Sequence, residues 1–269
     1  MKLEPVHEGQ KVHLRDRDAR APRSLDDDHD VVDGELEKLG RRLSELQEAL
    51  YAEKRQALLV VFQARDAGGK DSTIRSVFTS VNPQGCVVHS FGRPTELELA
   101  HDFLWRVHQR VPARGMIAVF NRSHYEDVLV ARVRQLVPKS VWKQRYREIN
   151  DFERLLAEND VTIVKFFLHI SRAEQRERLQ ERLADPSKNW KFNAGDLDDR
   201  ALWNEYARAY EDALRKCSTE WAPWYVVPAD RKRARNLLVM RTIVETLEEM
   251  DPKYPRADPK VLSRFRRIR

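Results

Sequence analysis

Residues 57–74 read ALLVVFQARDAGGKDSTI, a continuous apolar run that ends in a glycine pair and a lysine. Seven aliphatic and aromatic residues in a run of eight, closed by a polar turn, predict a strand over 57–64. Ser72-Thr73-Ile74 opens a helix, so the turn between the two is a strand-to-helix loop. Such a loop suits an anion. Gly68 and Gly69 let backbone N–H groups approach it, the helix start adds the positive end of a dipole, and Lys70 adds a point charge. The common nucleotide-binding form is G-x-x-x-x-G-K-[ST], whose last hydroxyl holds Mg²⁺. Here Ala64 stands at the first glycine and Asp71 at the hydroxyl. The expected phosphate contacts are Ala67, Gly68, Gly69, Lys70, Asp71 and Ser72, with Arg75 on the helix that follows.

A carboxylate inside an anion cradle repels its ligand unless a cation stands between them. Mg²⁺ accepts one or two carboxylates together with phosphate oxygens. Asp66 is therefore the expected metal ligand, and Asp71 either supports it or stabilises the helix start.

Four further apolar bursts follow: CVVHSF (86–91), MIAVFN (116–121), VTIVKFFLHI (161–170) and WYVVPA (224–229). They are continuous rather than alternating, as in strands covered on both faces. An amphipathic helix is expected over 34–55, from leucines at 36, 39, 43, 46 and 50. Other helical segments are expected at 70–80, 95–110, 140–158, 172–184, 199–217 and 231–250. Strands alternating with helices predict an α/β fold with a doubly wound, parallel five-stranded sheet. Residues 1–32 read as an extended arm, 33–250 as the body and 251–269 as a tail.

Composition narrows the classes. With 41% apolar and 34% charged residues the chain reads as soluble and globular. No apolar run approaches the ~18 residues of a membrane span, and no signal peptide is visible. Two distant cysteines, Cys86 and Cys217, suit a cytoplasmic protein with reduced thiols, and eight scattered histidines lack ligand spacing. The net charge of +6 is local: Pro252–Arg269 carries seven Lys/Arg and one Asp, and the remaining 251 residues sum to zero. Any anion site in the body rests on local placement.

In doubly wound sheets ligands lie beyond the carboxyl ends of the strands. Three unusual segments collect there, after the first, third and fourth bursts. FNRSHYEDV places the neutral donor Asn121 where many phosphate-loop proteins carry a metal-bridging Asp. Arg122 can fork onto phosphate oxygens, and Glu126 and Asp127 add carboxylates within one turn. SRAEQRERLQERLADPSKNWKF pairs Arg172 with Arg176 and Arg178 with Arg182 at i,i+4, then stops at Asp185-Pro186 before Lys188. Its glutamates could neutralise those arginines on an ordinary helix. After the fourth strand it reads as an arginine lid, at about 172–198, closing over phosphates.

Together, DAGGKDSTI, VNPQG, FLWRVH, FNRSHYEDVLVARV, ADPSKNWKF and APWYVVPADRKRARN resemble the family-2 polyphosphate kinases, in the family's order, over about residues 33–250. The resemblance implies a thymidylate-kinase-like phosphate-loop fold with a lid. It implies transfer of the terminal phosphate of inorganic polyphosphate to a nucleoside mono- or diphosphate, or the reverse, with Mg²⁺ or alternatively Mn²⁺. It puts Asp66 and Lys70 in the phosphate loop, Asn121-Arg122 in the second motif and Arg178 and Arg182 in the lid. NRSHYED, with Glu126, resembles the subclass associated with both AMP and ADP. Asp66, Lys70, Arg122, Glu126, Arg178 and Arg182 are the expected catalytic set, with Asp66 and Asn121 on the metal. Lys188 is expected on phosphate, and Asn82, Arg93 and Asp127 beside the nucleotide; Trp105 reads as core. No nucleic acid or membrane partner is expected, and a homo-oligomer is the family pattern.

Two departures stand out. The family's SFKxPT is SFGRPT here, so Gly92 replaces a lysine, and AGGKDS stands where relatives show AAGKDG, a change expected to be harmless. The rival readings are an ATP-dependent kinase on the same scaffold, disfavoured by Asp71, and a nucleic-acid-binding protein relying on the basic tail.

Overall fold

The protein's computed structural model describes residues 1–25, 29–191 and 194–259. Most of the basic tail, part of the lid tip and three aspartates of the arm lie outside those residues. Five strands, β1 (Ala57–Ala64), β2 (Cys86–Ser90), β3 (Ile117–Asn121), β4 (Val161–His169) and β5 (Trp224–Pro228), form one sheet in the order β2-β3-β1-β4-β5. Every pairing is parallel. The α/β class and the five parallel strands are as the sequence predicts.

The continuous apolar runs have the expected cause. Along β1, Leu58, Val60, Phe62 and Ala64 face one core with α1 (His29–Glu53), α2 (Lys70–Val77) and α10 (Lys232–Met250). Ala57, Leu59 and Val61 face the other core with α6 (Lys139–Ala157) and α9 (Trp203–Cys217). Both sides of the strand are dry, so period-two alternation has no solvent face to mark.

The order of strands places the site. β1 lies between β3 and β4, with Phe62 beside Asn121 and Ala64 beside Leu168. The three unusual segments therefore leave adjacent strands at one carboxyl edge, where the strand order reverses.

Some elements differ from expectation. The single helix expected at 95–110 is two short turns, α3 (Glu96–Leu99) and α4 (Trp105–His108). Thr95 and Glu98 form a capping box on the first, and the Asp102 carboxylate accepts from the Leu104 and Trp105 N–H groups. Trp105 is half-buried and stacks on His101 at 4.0 Å rather than entering the core. The segment expected at 199–217 breaks at Leu202, between α8 (Ala194–Ala201) and α9. The first helix begins at His29, earlier than the expected 34. Before it the arm is extended but tightly docked: Leu3, Val6, Ala19, Ala21 and Leu25 are buried. Pro5 bridges Tyr225, and His169 bonds the Arg15 carbonyl at 2.9 Å. The arm thus covers the outer edge of β5, a common device against edge pairing. Among the described residues no helix is long and apolar enough to cross a membrane.

Candidate active site

The loop leaving β1 turns through two left-handed residues, Ala67 (φ 58°) and Gly69 (φ 96°). Gly69 precedes α2, whose first residue is Lys70. A Cβ on Gly69 would stand 2.1 Å from Arg235 Nη1, a contact that a shift of that side chain relieves, so it is the positive φ that calls for glycine there. A Cβ on Gly68 would stand 2.6 Å from the Ala64 Cβ and 2.8 Å from the Arg65 carbonyl oxygen. Ala64 and Gly68 share one space, so the AGGKDS order fits only because the second position is bare. Gly69→Ala is expected to weaken tripolyphosphate binding roughly ten- to hundredfold, from backbone strain of about 1–3 kcal/mol; calorimetric titration reads it directly.

Lys70 Nζ donates to the Ala64 carbonyl at 3.1 Å and lies inside the loop. Burial, then Arg122, lowers its pKa to about 8, against the pull of Asp66 and Glu126. The ammonium is charged below that value and lost above it. The affinity of the free protein for tripolyphosphate is expected to fall as pH rises through about 8, and Lys70→Arg is expected to flatten that dependence.

From β3, Asn121 Nδ2 donates to Asp71 Oδ1 at 2.7 Å. Asp71, in the first turn of α2, thus ties the two motifs together as well as facing the helix dipole. Arg122 is left-handed (φ 63°), and its backbone N–H donates to the Phe62 carbonyl. Its guanidinium reaches Asp66 Oδ1 at 3.1 Å and Glu126 Oε2 at 3.3 Å. Glu126 and Asp66 hold the charge on Arg122 above even its ordinary range against burial.

The unusual backbone at Arg122 is held from below. The next side chains but one, His124 and Tyr125, point into the interior. His124 Nε2 and Tyr125 Oη bond Glu153 Oε1 at 3.0 and 2.9 Å. Lys165, on β4, donates to Glu153 Oε2 at 2.5 Å, Tyr125 Oη at 2.8 Å and the Cys217 carbonyl at 2.6 Å. The Lys165 and Glu153 side chains are 0% exposed. Burial works against the Glu153 charge, but Lys165 and His124 outweigh it and hold the carboxyl below its usual range. Gln63 on β1 adds a bond to Ser123 Oγ at 3.1 Å. The chain behind Arg122 is therefore fixed to β1, β4 and α6.

Other expected residues fall elsewhere. Arg178, expected in the lid, is 7% exposed on α7 (Arg172–Ala184). It donates to the carbonyls of Ala67, Ala229 and Asp230 and pairs with Glu174, bracing the loop. Arg182, in the last turn of the same helix, is half-buried. Lys188 is exposed and pairs with Asp185 at 2.7 Å. Asp127 turns to Arg145 at 2.8 Å, and burial lifts its pKa to about 6 despite that partner. Ser72 and Arg75 are exposed on α2, and Arg93 is exposed past the end of β2. Beside it, Gly92 has open space around its missing side chain.

Asn82 does not belong to this cluster. Its Oδ1 caps the turn before β2, accepting from the Gln84 N–H at 3.0 Å. Because α2 carries the chain back from the carboxyl edge, that turn lies at the amino edge of the sheet.

Several residues escaped sequence reasoning. Gln175 Nε2 donates to the Asp66 carbonyl at 2.9 Å, and its Oε1 accepts from Arg200 at 2.9 Å. Arg235, 1% exposed, donates to Ser72 Oγ at 3.1 Å; burial, then Arg178, lowers its pKa to about 9. Arg65, Tyr206 and Tyr210 line a pocket of about 30 Å³ with Asp66, Arg122 and Glu126. Lys165 alone carried a signal, a lysine inside an apolar strand; Glu153, one acidic residue in an amphipathic helix, carried none.

The donor set bears on a metal. The described residues contain no group of three or more His, Cys, Asp or Glu that could hold an ion by itself. Mg²⁺ needs no such cage: one or two carboxylates, phosphate oxygens and waters suffice. Asp66 fits that demand, with the Asn121 amide beside Asp71 as a weaker neighbour. A transition-metal site of imidazoles or thiolates does not fit.

Cations converging on a glycine cradle, with acidic groups at its rim, put the protein among the phosphate-loop kinases. The sequence model of the Polyphosphate kinase 2 (PPK2) family matches residues 26–255, and the chain belongs to that family. It is 61% identical over 223 residues to an AMP/ADP-polyphosphate phosphotransferase of Meiothermus ruber, covering 83% of this chain and 84% of that one. It is 46% identical to an ADP-polyphosphate phosphotransferase of Rhodopseudomonas palustris, covering 94% and 92%. The crystal structure of Polyphosphate Kinase 2 from Arthrobacter aurescens TC1 is similar with a TM-score of 0.83, at 44% identity over 85% of this chain and 82% of that one.

Proposed function

We propose that the protein transfers the terminal phosphoryl group of inorganic polyphosphate to AMP and ADP, reversibly, in the cytoplasm. The carrying observation is Arg122 held between Asp66 and Glu126 at the mouth of the loop that contains Lys70. An inorganic chain offers no base or sugar, so charge placement must supply both binding and catalysis. Membership of the family and the named activities of the two relatives support the same reading.

The reaction asks little covalent chemistry of the protein. Lys70 and the backbone N–H groups of the loop bind the donor's end phosphate. Arg122 leaves its carboxylate partners to meet the equatorial oxygens as charge shifts from attacking to leaving oxygen. Glu126 orients the acceptor and Arg182 approaches with the lid. A nucleotide phosphate is already ionised at neutral pH, so no general base is required, and buried His124 serves structure. Mg²⁺, when bound on Asp66 with Asn121 nearby, neutralises phosphate oxygens and aligns donor with acceptor.

The test is donor choice. With polyphosphate, Mg²⁺ and AMP or ADP, the purified protein is expected to form ADP and ATP without any added nucleoside triphosphate. ATP-dependent phosphorylation with no use of polyphosphate would sink the reading. Assembly as a homo-oligomer belongs to the same proposal and is checked by light scattering.

A further inference from the structure

Arg65 is the first residue beyond β1 and is 6% exposed. Its guanidinium lies 3.8 Å over the Trp203 ring, while Nε, Nη1 and Nη2 have no hydrogen-bond partner. Stacking satisfies one face of the group and none of its N–H donors. A buried charge left in that condition is costly, and native proteins rarely keep one without use. The acidic residues around the same pocket do not serve it: Asp66 and Glu126 share Arg122, and Asp199 holds Arg134 and Tyr206.

The space in front of Arg65 sets the ligand's size. A water needs roughly 10–15 Å³ of such volume, so the pocket beside Arg65, at about 30 Å³, admits two oxygen-sized groups, and a small shift of the guanidinium, whose nitrogens are closed to water, brings its fork to them. The guanidinium fork matches two oxygens of one phosphoryl group. We infer that Arg65, held flat by Trp203, is an oxyanion-binding residue that receives phosphoryl oxygens entering the pocket beside Asp66 and Glu126. The inference rests on the phosphotransfer reading above and adds a residue and a position to it. The phosphoryl group belongs either to the inorganic chain or to the nucleotide.

The experiment is thermal unfolding of the full chain as wild type, Arg65→Met and Arg65→Lys. Each is measured alone, with tripolyphosphate and Mg²⁺, and with AMP and Mg²⁺. Alone, Arg65→Met is expected to melt at or above the wild-type temperature, because an unpaired buried charge is gone and the stem's packing remains. The ligand-induced rise in melting temperature is expected to shrink by at least half for one ligand, and that ligand identifies the source of the phosphoryl group. Arg65→Lys, which keeps charge but loses the fork, is expected to bind the same ligand at least fivefold more weakly; it carries the test if the methionine variant does not fold. Ligand shifts equal to wild type for both phosphate compounds, or unchanged affinity in Arg65→Lys, overturn the inference. A wild type that responds to neither compound sinks the phosphotransfer reading, and this inference with it.

Discussion

Replacing Asp66 with alanine is expected to lower polyphosphate-dependent turnover at least about a thousandfold while the protein stays folded. The size follows from two losses. Removing one preorganised electrostatic group at a transition state costs about 10²–10³ in rate, and Asp66 is also the residue proposed to hold the metal. Its side chain is 17% exposed at the loop's rim, outside both apolar cores, so its removal opens no cavity in them. Arg122 keeps Glu126 as a partner. Unfolding curves for the variant should therefore overlie the wild type, and the assay with AMP and ADP should lose both products together. Near-normal rates would move the metal, and the chemistry, away from this loop.

Lys165→Met is expected to be the most destabilising single change, by about 3–5 kcal/mol, because it strands the Glu153 carboxylate in the dry interior. Lys165 is the partner of Glu153, Tyr125 and the Cys217 carbonyl at once, and none of the three can reach water. Adding Glu153→Gln to the same chain is expected to recover most of the loss. The amide carries no charge, and its oxygen can still accept from His124 and Tyr125. Urea unfolding of the two single variants and the double variant gives the coupling. Additive effects would mean that the pair does not act as a unit. The double variant also separates fold from function: the backbone at Arg122 depends on His124 and Tyr125 being held below it.

The fold was largely legible because burial on both faces writes strands as continuous apolar runs. The bounds of β1 and α7 match the sequence reading residue for residue. Where local hydrogen bonding competes with a helical pattern, the reading failed. Asp102 restarts the chain inside 95–110, and nothing in the apolar spacing reveals which backbone N–H a carboxylate will cap. The phosphate loop and Arg122 with Glu126 were legible as motifs, since glycines and clustered charges at strand ends have few other uses. Arg178 was not: the i,i+4 pattern shows which residues share a helix face, and only packing decides that this face meets the loop's carbonyls.

By itself the sequence determined that a strand, a glycine turn and a helix start would follow one another, and that parallel strands buried on both sides would carry them. Those properties are local: backbone freedom at glycine, apolar continuity and the charge of neighbouring side chains. Tertiary structure alone decided that β1 lies between β3 and β4, which brings Asp66, Arg122 and Glu126 within salt-bridge reach. It also decided which charges are buried and who partners them, from the joined Lys165 and Glu153 to the unpartnered Arg65. Partners dozens of residues apart meet only when the sheet closes its order, and the price of burying a charge is set by what stands beside it then.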